Sequence, residues 1–518
     1  MIKVLKKYYK ALAVLCITIV LIGSYPLLNS KITPIPTLRV LNGYEKSIYS
    51  VEPTRINTID EYNILRSLYG QLLYYDHNNE LQLDVPSGVT WEGLDLVFKF
   101  GQPRKAIDGT LIGAEDAYLS LKRVMFLEKT GHGDLRKLLC PNHKLNHIND
   151  PCPGLKLDGD RLILTVHNSK LQPFLMPFLE NVDMSIIPKS SIDWQSPALP
   201  IIDYKQTSGP YAVVEDSPVG EWVFAANPHH HFYDQKMPQK IQFVIQSKLG
   251  MFSNGSIIDK IALVDLIPTY IPIKASQAEE VKKTGKFNLH ESYPIRVEML
   301  IFTPKAVKDF TPAQRRHAAK LIVDQKIYLD PPYNAKRTVE FFQTLSDGTL
   351  DNGQKVELEN LRSDKTYTTF KRPITTTIRP GRFEDYKNTF KNQSELQFTK
   401  RPTLSVLDLK PGDRGDYYYI NNDTAWTENL GLLSYNFGVQ FFHLPGLDPD
   451  KWLDDYINTE DKEERMKKLR KLHYEMLKEV VIYPFAVSPY IAFSAKPWTM
   501  NFSRYNAGIE LWRMRYQP

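Results

Sequence analysis

The sequence predicts an α/β protein built as two or more lobes, and three observations carry that expectation. The chain has 518 residues, beyond the roughly 250–300 at which a single hydrophobic core stops growing. At 42% apolar, 12% aromatic and 24% charged residues, the composition is that of a folded globular protein and excludes a disordered one. Segments with strand-like and helix-like hydrophobic periods alternate along the chain, as they do where helices cover a sheet. Proline, at 35, outnumbers glycine, at 26, which favours ordered extended loops over flexible linkers.

The amino terminus reads as an address. Lys3, Lys6, Lys7 and Lys10 precede an uncharged run from Ala11 to Ser30 whose apolar heart, ALAVLCITIVLIG, stops shortly before Pro26. This is the layout of a secretory signal. Cleavage after Gly23, Ser24 or Ser30 is one reading. No A-x-A pattern is present, and 20 uncharged residues are about a membrane span, so retention as an inner-membrane tether over residues 11–28 is the other. A lipoprotein reading through Cys16 is disfavoured by Leu15, where a small residue is needed. Both main readings export the body to the periplasm. The formal charge of +6 falls to +2 without the four leader lysines. No clustered basic stripe remains, and this argues against a nucleic-acid partner.

Along the body, LRVL (38–41) reads as a buried strand. Thr58 and Glu61 form a capping box, and Leu65, Leu68, Tyr69 and Leu72 follow at helical spacing. LVFKF (96–100) alternates as a half-buried strand, and AEDAYLSLKRVM (114–125) puts Ala117, Tyr118, Leu121, Val124 and Met125 on one helical stripe. LILTV (162–166) and IQFVI (241–245) read as strands, with the turn TSGPY (207–211) between them. Thr311, Pro312 and Gln314 open a second capped helix. PITTTIRP, RFEDYKNTF and ELQFTKRP, around 373–400, predict strand, helix and strand with a parallel pairing. From Thr459 onward, acids precede bases in the order that suits a helix dipole, with Met466, Leu469 and Leu477 inward. There are no internal repeats.

Four segments carry a resemblance to a known family. IDGTLIGAEDAYLSLKRV (107–124) resembles the segment of family 5 extracellular solute-binding proteins in which a turn precedes A-E-D and a helix ending in K-R. TSGPYAVVEDSPVGEWVFAANPHHHFYD (207–234) resembles a second signature of that family: a G-P-Y turn, two strands, then N-P and an aromatic residue. The early helix beginning at Asp60 and the late segment 463–493, followed by KPW (496–498), resemble two more in the same order. The likeness spans roughly residues 36–518 and is closest to the oligopeptide and dipeptide binders of ABC importers.

The resemblance implies a two-lobed type II periplasmic-binding-protein fold with a discontinuous first lobe, an extra subdomain and a hinge. Lobe I is expected over 36–260, with the subdomain at about 60–185, lobe II over 261–484, and a return to lobe I over 485–518. Ligand lies between the lobes, where closure excludes water. The expected function is capture of short peptides by a monomer and delivery to an ABC permease in the inner membrane, without a cofactor or catalysis. The alternatives are a nickel chelate, haem or sugar in the same fold, a membrane-anchored sensor, or a secreted hydrolase. No P-loop, nucleophile elbow, H-E-x-x-H or dinucleotide fingerprint is present.

In the peptide binders an aspartate of the second lobe pairs with the ligand amine. The segment resembling that region is GDYYYINNDTAW (415–426), in which Asp416 fits the first aspartate but the W-x-A-D end is not reproduced. Asp423 is then the candidate counter-charge, with Trp426 and Tyr419 as candidate aromatic contacts. Tyr44 and Glu45 follow the first strand, where the family approaches its ligand. Each has a competing role in a turn or a core. CPNHKLNHINDPC places Cys140, His143, His147 and Cys152 at zinc-ligand spacing. Export favours instead a Cys140–Cys152 disulfide, and no metal site is assigned. His229, His230 and His231 are expected to form an exposed loop, because consecutive side chains diverge.

Overall fold

Two long strands, Phe287–Phe302 and Ile482–Ala495, pair antiparallel and form the spine of an 11-stranded mixed sheet. Ile482–Ala495 is buried along nearly its whole length, which its run of Ile, Tyr, Phe and Val suits. This computed structural model describes residues 35–517, apart from positions 57, 246 and 504 and the segments 128–132, 142–143, 248–260, 269–272, 325–331, 344–345, 364–368, 379–382, 403–405, 407–408, 424–428 and 506–507. The leader and the boundary expected near Lys260 lie outside the described residues. None of the described helices is long and apolar enough to cross a membrane.

Opposite ends of the spine serve opposite flanks of the sheet. At one end, Ser494 and Phe493 pair with Leu266–Ile267. Beyond that strand lie Leu38–Asn42, Lys240–Ile245, Val223–Ala226 and Tyr211–Glu215. At the other end, Arg296–Phe302 pair with Tyr417–Asp423, followed by Ile374–Ile378 and Leu396–Lys400. The last two run parallel with the helix Phe383–Thr389 between them in sequence, as the pattern around 373–400 predicts. Between the two ends Pro294 faces Pro489, and the register shifts on both sides of Pro294. Neither proline has an N–H to donate, so the ladder is interrupted there. The expected chain return near Pro484 falls inside the strand, where Pro484 faces Met299 at a further register shift.

A separate antiparallel sheet, Gly88–Glu92, Asp95–Lys99, Arg161–Thr165 and Leu155–Asp158, packs on the helix Ala114–Leu127. Ala117, Leu121, Val124 and Met125 of the predicted stripe are buried in one core with Leu96, Phe98, Leu162 and Leu164. Cys140 and Cys152 form a disulfide inside that core, with Cα atoms 5.5 Å apart. Both thiols are therefore taken, and His143 lies outside the described residues.

Both capping boxes are present. Thr58 and Glu61 cap Ile59–Leu68, and Thr311 exchanges bonds with Gln314 at the start of Pro312–Asp324. The first helix is shorter than its apolar spacing predicts, because Leu68 O accepts from Gly209 N and the chain turns there. A Cβ on Gly209 would meet the Leu68 carbonyl carbon at 2.6 Å. In the helix Lys462–Lys478, Leu469 and Leu477 are buried as predicted, whereas Met466 is only half-buried.

The segments behind the family resemblance act as clamps. Ser208 Oγ accepts from Gly70 N at 2.9 Å and donates to Ile186 O, and Asn227 Nδ2 donates to Lys105 O at 2.9 Å. Arg123, fully buried in the K-R helix end, makes a two-pronged bond to Glu52 at 2.9 and 2.6 Å and donates to Leu199 O.

The chain end is bound into this frame. Ile509 N donates to Asn63 Oδ1 at 2.7 Å, Arg515 meets Asp234 at 3.0 Å, and Arg515–Tyr516 pair with Trp498–Thr499. Ile509, Leu511, Trp512 and Met514 are all buried, and each such side chain contributes about 1.5–3 kcal/mol. Deleting residues 505–518 should therefore lower the melting temperature of the whole protein; a truncated chain that melts with the parent would contradict this packing. Reducing the disulfide, which closes a loop with a sequence separation of 12, should cost roughly 3 kcal/mol in denaturant titrations with and without reductant.

Candidate functional site

The interruption of the spine gathers several polar groups. The strand sequence P-I-R-V-E-M places Arg296 and Glu298 two residues apart, so in regular pleating they share one face. Arg296 pairs across the ladder with Ser488 on one side and with Asp423 on the other. Its guanidinium lies 3.9 Å from the Glu298 carboxylate and 5.9 Å from the centre of the Tyr490 ring. Tyr490 N donates to Ser292 Oγ at 2.8 Å, which supplies an acceptor where the proline pair breaks the ladder.

The start of the helix Ile59–Leu68 comes up against this place. Ile59 and Phe502 pack on Ile295 and Tyr490. Tyr293 and Tyr505 meet edge-on at 5.3 Å between ring centres. Asp60, next to Ile59, is buried. Burial first, then the neighbouring Glu61 carboxylate, push its carboxyl up to about 7, against the backbone N–H groups of Asp60 and Gly43. Among the described residues, Asp60 Oδ1, Glu298 Oε2, Asn422 Nδ2 and Ser488 Oγ are buried without a hydrogen-bond partner. Ser488 and Glu298 lie on the Arg296 face, whereas Asn422, opposite Val297, lies on the other. Buried polar atoms ordinarily have partners, so Asp60, Glu298 and Ser488 call for a polar ligand or water. Together Asp60, Glu298, Ser488 and Tyr490 offer carboxylate acceptors, a hydroxyl and an aromatic wall.

The residues expected from the sequence are divided by the structure. The backbone of Asp423 lies opposite Arg296 at this place; its side chain and the whole of Trp426 lie outside the described residues. Tyr419 sits four residues earlier on the same strand, opposite Leu300, with its ring 6.3 Å from Phe485 in a packed cluster. Tyr44 is buried and its hydroxyl bonds Ser50 O and Oγ at 3.2 and 3.0 Å. Burial pushes that phenol up to about 12. Glu45 is exposed and accepts from Ser247 N at 2.5 Å. Asp416 is locked by Arg372 at 2.7 and 2.9 Å and by Thr375. Asp60, Arg296, Glu298 and Ser488 were not singled out from sequence as site residues. The signal for Arg296 and Glu298 was present: two charges at strand spacing just ahead of the apolar run MLIF.

Taken with the sheet order, this is the two-lobed fold of the periplasmic binding proteins. The chain is similar to OppA of Haemophilus influenzae in complex with the peptide RPPGFSPFR, at 13% identity over 93% of this chain and 99% of that one, with a TM-score of 0.69. It is also similar to NikA of Brucella suis in complex with Fe(III)-EDTA, at 14% identity over 93% and 100%, with a TM-score of 0.66. The murein tripeptide binding protein MppA of Escherichia coli matches at 14% identity over 93% and 98%, with a TM-score of 0.67, and MppA in its unliganded open form over the same shares at 0.56. No family model and no curated protein matches the sequence.

The Asp60 carboxyl has a measurable signature. Its proton is held to about pH 7 in the folded chain but is lost near 3.9 in an unfolded one. Between those values the folded state binds more protons, so this group's contribution makes stability fall as pH rises. Asp60→Asn removes that contribution. Melting temperatures of parent and variant should diverge between pH 4 and pH 8, with the variant gaining relative to the parent as pH rises. A constant difference across that range would show that Asp60 titrates normally.

Proposed function

We propose that this protein is the extracytoplasmic solute-binding component of an ABC importer. It captures short peptides between its lobes, closes on them and hands them unchanged to an inner-membrane permease, working as a monomer in the periplasm or tethered to the membrane by its leader. The supporting observation is the group of buried, partnerless polar atoms at the break in the spine, in a fold shared with a binding protein solved around a nonapeptide. A peptide backbone supplies the donors and acceptors that Ser488 and Glu298 lack, and aromatic residues such as Tyr490 and Phe502 suit its side chains. The peptide amine is assigned to Asp60, and Asp423, the counter-charge suggested by the resemblance, is the competing carboxylate.

Calorimetry with a mixed peptide library tests the whole reading. A desolvated amine–carboxylate pair is worth roughly 2–5 kcal/mol, so Asp60→Asn should lose about that much affinity and Asp423→Asn less. Because an amine favours the ionised carboxylate, binding below about pH 7 should release a proton and weaken as pH falls. The inverse ranking of the variants would move the amine to Asp423. Binding of a metal chelate, haem or sugar in place of peptides would keep the importer role and change the cargo. Peptide cleavage would overturn both.

A further inference from the structure

The loop that follows the strand Val223–Ala226 holds a second constellation, away from the break in the spine. Consecutive histidines were expected to point apart, but successive turns prevent that. His229 N donates to Asn227 Oδ1 at 3.0 Å, His230 N to Asn227 O at 3.1 Å, and Tyr233 N to His230 O at 2.9 Å. The rings of His230 and His231 consequently lie 4.4 Å apart. His230 is buried and His231 reaches the surface, so the group is open on one side.

Asp84 faces this pair. It is 8% exposed, its Oδ2 accepts from Gln71 N at 2.8 Å, and its Oδ1 is buried without a hydrogen-bond partner. That free oxygen lies 3.5 Å from Nε2 of His231. One donor atom from each of Asp84, His230 and His231 falls within 4.8 Å of the other two. We propose that Asp84, His230 and His231 form a binding site for one divalent transition-metal ion of the zinc class, with water completing the coordination from the open side. Two imidazoles and a carboxylate suit zinc, nickel or copper rather than the oxygen-seeking calcium and magnesium.

The surroundings set the strength of the site. Phe232 N donates to Nδ1 of His230 at 3.2 Å. Arg104 bonds the backbone oxygens of Asp84 and Val85, and Arg513 lies over Phe232. An ion must compete with that hydrogen bond and with nearby guanidinium charge, so affinity falls in the micromolar range rather than that of a closed structural zinc centre. Its consequence is mechanical. The bound ion joins the loop to Asp84, and Phe232, the next residue, stacks on Trp512 at 5.9 Å and meets Tyr74 edge-on at 5.7 Å. Loading the site therefore tightens the seat of the carboxy-terminal segment.

Zinc titrated into untagged, non-reduced protein tests this, since the disulfide removes Cys140 and Cys152 from competition. The parent should take up one ion per chain by calorimetry and melt at a higher temperature with zinc. Cobalt should give the visible absorption of a histidine-ligated ion. His231→Ala, at an exposed position, and Asp84→Asn should each weaken binding at least tenfold and abolish the zinc-dependent melting shift, whereas His229→Ala should leave both unchanged. If the metal-free melt shows that Asp84→Asn misfolds, His231→Ala decides. Absence of stoichiometric binding by the parent, parental affinity in His231→Ala, or equal loss in His229→Ala would each overturn the site.

Discussion

The antiparallel pairing of Phe287–Phe302 with Ile482–Ala495 is the constraint on which the rest of the structure depends. Each strand is long enough to serve two flanks of one sheet, and opposite ends carry different neighbours. A continuous ladder of this length would be stiff, because every backbone donor and acceptor would be committed to its partner. Opposing Pro294 with Pro489 removes two donors at one level and leaves a local weakness in an otherwise buried ribbon. That weakness lies where Arg296, Ser488 and Tyr490 collect beside the helix start at Ile59 and Asp60. On the transport reading, a ligand held at the break supplies bonds that the ladder lacks.

Around this ribbon, buried charges fix the first part of the chain. Arg123 holds Glu52, and Arg66 bonds Tyr62 at 2.9 Å and lies between Glu180 and Glu510 at 3.8 and 3.9 Å. Asp416 is held by Arg372. Pairs of this kind return little net stability once desolvation is counted, but removing one partner strands the other. Their effect is to allow one arrangement of segments far apart in sequence, such as the helix Ile59–Leu68 and residue 510. A small, partly open pocket lies beside Arg66, Ile509 and Glu510.

Local chemistry was legible in the sequence, and pairing between distant segments was not. Capping boxes at Thr58 and Thr311, the strand at 38–41, the unit around 373–400 and the disulfide depend on neighbouring residues or on compartment, and each was read in advance. Phe287–Phe302 was not read as a strand, because His290, Glu291, Pro294, Arg296 and Glu298 spoil its alternation and only the partner strand makes it one. The burial of Asp60 arises from the loop at Gly43 and from the packing of Ile59. Its spacing announces only a helix start. His230 was misread because a general rule about adjacent side chains was applied to a segment whose Asn227 turns the backbone. The G-P-Y and N-P segments pointed to the fold, and their residues clamp the frame.

Separating the first half of the chain from the segment around residues 450–460 has an energetic cost. Phe174, in the first half of the chain, packs 6.1 Å from Tyr456, which stacks on Trp452, while Lys137 meets Asp450 and Lys170 meets Glu460 across exposed pairs. The exposed pairs contribute at most about 1 kcal/mol each. Re-exposing Phe174 alone costs about 1.5–3 kcal/mol. An arrangement in which these segments stay together is therefore held partly by apolar contact, whether or not cargo is present. On the transport reading, a cargo that binds only the closed form deepens that preference and cannot drive its own release. Release then requires something with higher affinity for the open form, and a permease that engages the separated lobes is a partner able to supply that difference.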